Sequence, residues 1–585
     1  LTETPLTFEE ARERLRARGY LDVGVEGAVL KGALAARSRV QALVYGALVA
    51  AVLLAAALAL GETAVLAASS ALALGDAAVL ALWLFLGALL AALPLVLLLV
   101  VLAWARTRFR SAEDVSTELG IAFGVVAGAG GALAALPALE SAPIGVAAAV
   151  LAVLALAVFL AIRVARGIAL GVVLAQGRML LSRGVSAARG RRAAPILAAA
   201  TLVVSGVLLL ARRPPAPDEP LVTAANPRRV VVVGVDGWSD RYAPLSLPAA
   251  ARWDYVKQAT LDPAAFWTTV VTGEPPKRHG IGSLDLVRVA GVGQPLQPAA
   301  GTRWFLARVL PAMRLARLES VTAAARRVPA IWDVARRAGI PSLVVDWWTT
   351  YPADAGAGTI LGNHLFFAAR AGLTLAGEGW PAEAAARAAA LAPRGAPAGG
   401  ALERLVADAR GLDAFSIAAY RDAKERERPR LSLLYLPGLD ILASALEEPG
   451  RGAAERVTLA KALTDEAGAL GSSLASGALT DGVDLWIVLL DGGRRSSGGV
   501  LLAGGPLARR GAGTLNAVDL APTVLAVLGV PASREIAGRV KNDLVTPGTT
   551  DDATVGSWGR RRASSQAPID SKAYIENLRS LGYLK

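Results

Sequence analysis

RRVVVVGVDGWSD, residues 228–240, is the stretch on which the fold turns. Its valines are consecutive rather than alternate, so the segment is expected to bury both faces, and it stops at Asp236 and Gly237 as a strand stops at a turn. A strand covered on both sides belongs inside a parallel sheet flanked by helices. Three further runs have the same form: PSLVVDWW around Val344, LSLLYLPGLD ending at Asp440, and LWIVLLDGG ending at Asp491. Helical patterns at 331–338 and 455–470 separate them, which predicts an α/β/α sandwich over 228–545.

Ligands of open α/β sheets bind outside the carboxyl ends of the strands. Asp236, Asp440 and Asp491 all fall there. A single aspartate after a strand is an ordinary turn residue. Three of them leave two readings level: convergence on one site, or three separate turns.

Upstream the composition changes. Over 585 residues, 54% hydrophobic and 19% charged positions are too apolar for an ordinary soluble protein, and the excess lies in the first 211 residues. Five runs, 41–60, 77–104, 119–138, 144–162 and 194–211, approach the ~20 apolar residues that a spanning helix needs. The expectation is an α-helical transmembrane domain of about five spans over 38–211. A weaker run at 167–181 is interrupted by Arg178 and reads as interfacial. Arg106, Arg108 and Arg110 follow the second run, and Arg163 to Arg192 lie between the fourth and fifth. The segments with Glu62, Asp76 and Glu140 carry no Lys or Arg. The positive-inside rule then places the N-terminus in the cytoplasm and, with an odd number of spans, the second half outside a cytoplasmic membrane. No acidic residue or histidine falls inside these runs, so anchoring is favoured over ion conduction.

The flanks complete the organisation. Residues 1–37 form an amphipathic arm in which Thr7 and Glu10 make a capping box. Residues 212–227 are a Pro-rich linker, and 546–585 a polar tail whose YIENLRSLGYL segment is expected to be helical. The net charge of +13 sits in Arg-rich loops rather than in a basic stripe with aromatics, so nucleic acid is not an expected partner. Cysteine is absent, which excludes thiolate chemistry and disulfides, and the only histidines are His279 and His364.

Several segments taken together, VVVVGVDG, FWTTVVTGEPPKRHGI (266–281), AIWDVARRAGIPSLVVDWWTTYPAD (330–354), LLYLPGLD (433–440) and VDLAPTVLAVLGVPASREIAGR (518–539), carry a resemblance. In this order they are similar to the type I phosphodiesterase and nucleotide pyrophosphatase family of the alkaline phosphatase superfamily. The resemblance implies an alkaline phosphatase-like domain with a two-metal phosphoryl-transfer site, in which Asp236, Asp440 and Asp491 match metal-ligating aspartates. The histidine ligands it implies do not follow: Ser444 stands four residues after Asp440, Gly492 follows Asp491, and 494–497 supply none. Where the family places Ser or Thr before a proline, this chain has Asp262 before Pro263, with Thr260 two residues earlier. Thr260 and Asp262 are therefore the nucleophile candidates.

Two functions follow from the resemblance and its departures. The first is a catalytically impaired pseudoenzyme with no bound cofactor, an extracytoplasmic scaffold or binding subunit. Its partners would be the lipid bilayer and a membrane or envelope protein, met through 382–410 or 546–585. The alternative is an active phosphodiesterase or phosphotransferase. There Mg, Mn, Ca or Zn ions would be held by Asp236, Asp440 and Asp491, Thr260 or Asp262 would attack, and Arg494 or Arg495 would stabilise the phosphoryl oxygens.

Overall fold

The computed structural model describes residues 47–56, 74–106, 118–122, 162–169 and scattered positions among the first 226. From 227 it describes the chain to 583, apart from 243–246, 248–250, 258–261, 294, 298–304, 357, 495, 551–552, 560 and 562–570. Two compact units result: Leu1–Pro214 with Val287–Arg317, and Pro215–Leu286 with Leu318–Lys585. Residues 287–317, expected within the α/β domain of 228–545, belong instead with the first unit.

The strands in chain order are β1 (Val230–Asp236), β2 (Ala251–Val256), β3 (Asp285–Val289), β4 (Ala316–Ser320), β5 (Ser342–Val345), β6 (Thr359–Leu361), β7 (Gly379–Trp380), β8 (Leu431–Leu436), β9 (Leu485–Asp491), β10 (Gly498–Gly504) and β11 (Gly511–Asn516). Nine of them form one sheet in the order β11-β2-β10-β9-β1-β8-β5-β6-β7, while β3 pairs with β4 at the two ends of the 287–317 excursion. The four runs singled out in the sequence are its centre, β9-β1-β8-β5, and are mutually parallel. The sheet as a whole is mixed, which corrects the expectation of a parallel one. β10 runs antiparallel to both β9 and β2, and β7 antiparallel to β6. The cause at β10 is the short turn after Asp491, because a tight reversal makes antiparallel neighbours whereas a parallel pair needs a long crossover. The region therefore fits an α/β class only loosely.

The consecutive valines of β1 divide between two cores. Val230 and Val232 face a cluster with Trp267, Trp347 and Tyr435, and Val231, Val233 and Val235 face another with Leu412, Ile441 and Leu463. Helix α2 (Pro263–Thr272) contributes Trp267 to the first. Helices α3 (Ala401–Glu427), α4 (Gly438–Leu446) and α5 (Ala453–Ala475) build the second. Helix α6 (Ser571–Ser580) comes from the tail and places Tyr574 and Leu578 in the first core.

The membrane expectation is corrected more sharply. Among the described residues one helix, α1 (Leu74–Arg106), is long and apolar enough to cross a membrane, over Asp76–Ala105, rather than about five. Of the other four runs, 194–211 lies outside the described residues, 144–162 is described only at scattered positions, of 119–138 only the first four residues are described, and the described part of 41–60 includes a shorter apolar helix at Ala47–Ala56. Hydropathy measures how apolar a run is and does not by itself establish a helix of spanning length. The capping box is present: Thr7 N donates to Glu10 Oε2 at 2.9 Å, and Glu10 N to Thr7 Oγ1 at 3.4 Å.

Candidate functional site

β1 and β9 run in register with Asp236 beside Asp491, and Asp440 enters from the first turn of α4. Gly237 lets the two elements meet. Its φ is +83°, and a Cβ there would lie 2.3 Å from the Asp440 amide nitrogen, so any side chain would separate strand end from helix. All three aspartates are buried and their carboxylates interact electrostatically, which settles the sequence question in favour of convergence.

Each carboxylate is already occupied. Asp491 is in a buried ion pair with Lys257 Nζ and accepts hydrogen bonds from Tyr255 Oη at 2.9 Å and Gly493 N at 2.9 Å. Lys257 Nζ also donates to the Gly493 carbonyl at 2.7 Å and lies over the Phe266 ring. Asp440 is held by Arg494, through Nε at 2.9 Å and the backbone N at 3.2 Å. Asp236 accepts at Oδ2 from Trp267 Nε1 and Tyr435 Oη, both at 2.8 Å, while its Oδ1 is buried without a hydrogen-bond partner.

Burial dominates the electrostatics. It pushes the Asp236 carboxyl up to about 7, with Asp491 adding to the rise and Lys257 opposing it. It pushes Asp440 up to about 6, with Asp236 adding and Arg494 opposing. Asp491 is raised by burial against the pull of Lys257, and Tyr255 is raised by burial and by Asp491, which keeps its hydroxyl a neutral donor. The cluster thus holds three carboxyl groups and two fixed cations, with Asp236 the one best placed to keep a proton.

The chain's own tail lies over this cluster. Arg494 Nη1 donates to the Gly582 carbonyl at 2.8 Å, and the Tyr583 ring stacks on the guanidinium with 4.0 Å from Cζ to the ring centroid. Tyr583 meets Trp348 edge-on, and Trp348 Nε1 donates to Tyr435 Oη at 2.9 Å, so an aromatic chain runs from the tail to Asp236. Farther along α6, Asn577 Nδ2 contacts His364 Nε2 at 2.8 Å, and Asn363 Nδ2 donates to Tyr574 Oη at 2.8 Å. Beside the tail a cavity of about 560 Å³ is lined by Asp440, Ser444, Arg451, Gly492, Arg494 and Gly582.

Asp262 is the residue before α2, and its Oδ2 accepts from Leu284 N at 3.0 Å. Thr260 and Arg495 lie outside the described residues. Arg494, expected to face phosphoryl oxygens, is engaged by Asp440 and the tail instead. His279 is buried in the turn after α2, with Nε2 3.0 Å from Thr269 Oγ1 and Nδ1 accepting from Ile281 N, and burial lowers its pKa to about 3. His364 pairs with Glu378 at 2.7 Å.

The metal pair implied by the resemblance does not fit these residues. Lys257 and Arg494 occupy two of the three carboxylates that would hold the cations, Asp491 and Asp440, and both histidines are engaged elsewhere. Sequence reasoning missed Lys257, although the signal was present: Ala251, Trp253 and Tyr255 are the buried positions of an alternating strand, and period two brings Lys257 to the same face. Tyr583 had no comparable signal. No family model matches the sequence, and no curated protein matches it.

Proposed function

We propose that the second unit is a phosphodiesterase-like domain that has given up phosphoryl transfer and serves as a scaffold or binding subunit anchored at a membrane. One observation carries this reading: two of the three carboxylates that would bind cations are each paired with a cation built into the chain, Asp491 with Lys257 and Asp440 with Arg494. A tethered ammonium or guanidinium supplies the charge that a metal would, but it has no open coordination position at which to bind a phosphoryl oxygen or activate a nucleophile. The stacking of Tyr583 on Arg494 adds a cover over the same place. The retained carboxylates then act as structure, tying strand ends to α4 and to the tail.

The partner that suits such a domain is another membrane or envelope protein. Helix α1 supports the membrane setting, since its outward face carries Leu82, Leu90, Leu97 and Val101. Arg106, Arg108 and Arg110 at and after the carboxyl end of this helix, against Glu62 before it and Asp76 in its first turn, favour a cytoplasmic carboxyl end and an extracytoplasmic Asp76 end.

The test is direct. Purified full-length protein is offered bis(p-nitrophenyl) phosphate with Zn, Mn, Mg and Ca in turn. The expected result is no turnover that depends on Asp236; turnover abolished by Asp236→Ala would overturn the proposal.

A further inference from the structure

The tail enters the second unit as a helical peptide enters a groove. Tyr574, Leu578 and Leu581 stand at helical spacing along α6 and the turn that ends it, and all three are buried. Lys572, Glu576 and Arg579 are exposed. Apolar anchors on one face of a short amphipathic helix are the means by which such helices dock in grooves. Polar contacts fix the register: Asn577 meets His364, Tyr574 accepts from Asn363, and the Gly582 carbonyl accepts from Arg494.

Two features separate this contact from ordinary core packing. The first is the space left beside it. A cavity of about 30 Å³ lies between Asp346, Trp348 and His364 of the groove and Tyr574, Leu578 and Tyr583 of the tail. The cavity of about 560 Å³ has Leu402, Leu405 and Arg494 on the groove side and Ser580, Leu581 and Gly582 on the tail side. Protein interiors are close-packed with few voids, so the tail underfills its groove. The second feature is the floor. Asp346 and Thr349 both take left-handed backbone, with φ of +58° and +63°, which a β-branched threonine rarely adopts. They bracket Trp347 and Trp348, whose indole N–H groups donate to the Trp267 carbonyl at 3.1 Å and to Tyr435 Oη at 2.9 Å. The strained turn thereby holds Trp348 against Tyr583. Backbone strain of this kind collects at ligand clamps.

We infer that the groove under α6 is a helix-binding site which the tail occupies in cis, and that its other occupant is a short amphipathic helix of a partner protein. That helix carries an aromatic residue and two leucines at the spacing of Tyr574, Leu578 and Leu581, and a larger apolar side chain where the tail has Ser580. A second copy of the chain does not meet this description, because its tail would leave the same two cavities. The inference rests on the reading of this unit as a binding subunit, and names the place where it binds.

A protease recognition sequence placed within residues 562–570 of the full-length protein lets the tail be cut from the folded chain. Cutting removes the effective concentration that the tether supplies, on the order of millimolar. A fluorescein-labelled peptide of residues 571–585 is then added and its anisotropy followed. The expected result is uptake by the cut protein and not by the uncut one. Tyr574→Ala in the peptide is expected to weaken binding at least about tenfold. Ser580→Leu, which shares a cavity with Leu402 and Leu405, is expected to tighten it several-fold. A cut protein that keeps its circular dichroism and takes up no peptide would overturn the inference. So would one that unfolds as the tail leaves, since the tail would then be core. Uptake of the native peptide with Ser580→Leu binding no tighter would overturn the partner helix in favour of a second copy's tail. Each of these outcomes leaves the loss of phosphoryl transfer standing, because that reading falls only on turnover that depends on Asp236.

Discussion

Lys257 and Asp491 form a buried ion pair at the carboxyl end of β9. Both side chains are buried, 3% and 0% exposed, so removing either partner leaves an uncompensated charge in a low dielectric, while removing both does not. Lys257→Met is expected to destabilise the protein by roughly 3–5 kcal/mol, and Lys257→Met with Asp491→Leu to recover most of the loss in the same denaturant melts. If the single variant cost nothing, the ion pair would have no structural role. Asp236 supports a pH prediction. Its folded pKa of about 7 stands above the unfolded 3.8, so between these values the unfolded chain releases a proton that the folded chain keeps. Stability contributed by this proton is complete below the unfolded value and is lost as pH rises through about 7. Asp236→Asn should therefore flatten the fall in stability between pH 4 and 7, by at most about 1.4 kcal/mol per pH unit. Identical slopes for variant and wild type would refute it. Asp236 and Asp491 were legible because strand ends announce themselves as apolar runs that stop at Asp-Gly, whereas Asp440 stands in the first turn of α4, past the end of β8. The pairing of Asp491 was not, because Lys257 directly follows β2, two strands from β9, and only sheet order brings them together.

At the scale of elements, β10 explains how β2 reaches the site. Gly499 lies in register with Asp491 on one side and Tyr255 on the other. A Cβ there would stand 2.5 Å from Tyr255 Oη, so the bare glycine is what allows the tyrosine to cross β10 and donate to Asp491. The tail is the second element that completes the site. Tyr583→Ala removes a ring that is partly buried in both cores and stacked on Arg494. A cost of roughly 2–3 kcal/mol is expected, with a smaller loss in Tyr583→Phe, which keeps the ring stacked on Arg494. Equal losses in the two variants would show that the hydroxyl, not the stacked ring, matters. The four central strands could be read from sequence because burial on both faces leaves no alternation to misread. The run at 499–504 reads as a strand too, but its antiparallel direction could not be read, since direction is set by the sheet order and not by the VLLA run itself.

At the scale of the whole molecule, apolar composition in the first 211 residues and helix continuity are separate properties, and the count of about five spans confused them. Helix α1 is where they coincide, and it can be tested at one position. Leu90 lies midway along Asp76–Ala105 and is 55% exposed. On a helix facing water, Leu90→Arg changes a surface side chain and shifts stability by no more than about 0.5 kcal/mol. On a helix facing lipid, the same change places a charge at the bilayer centre at a cost of about 2.5–3.5 kcal/mol on the insertion scale. The two environments thus predict effects of different size from one substitution. With a reporter cysteine at Leu97, another outward position, Leu90→Arg is expected to raise labelling by a membrane-impermeant maleimide in vesicles, and Leu90→Ala to leave it unchanged. Unchanged labelling in Leu90→Arg, with unchanged thermal stability, would mean that this face of α1 meets water, and that its leucines are covered by something other than lipid.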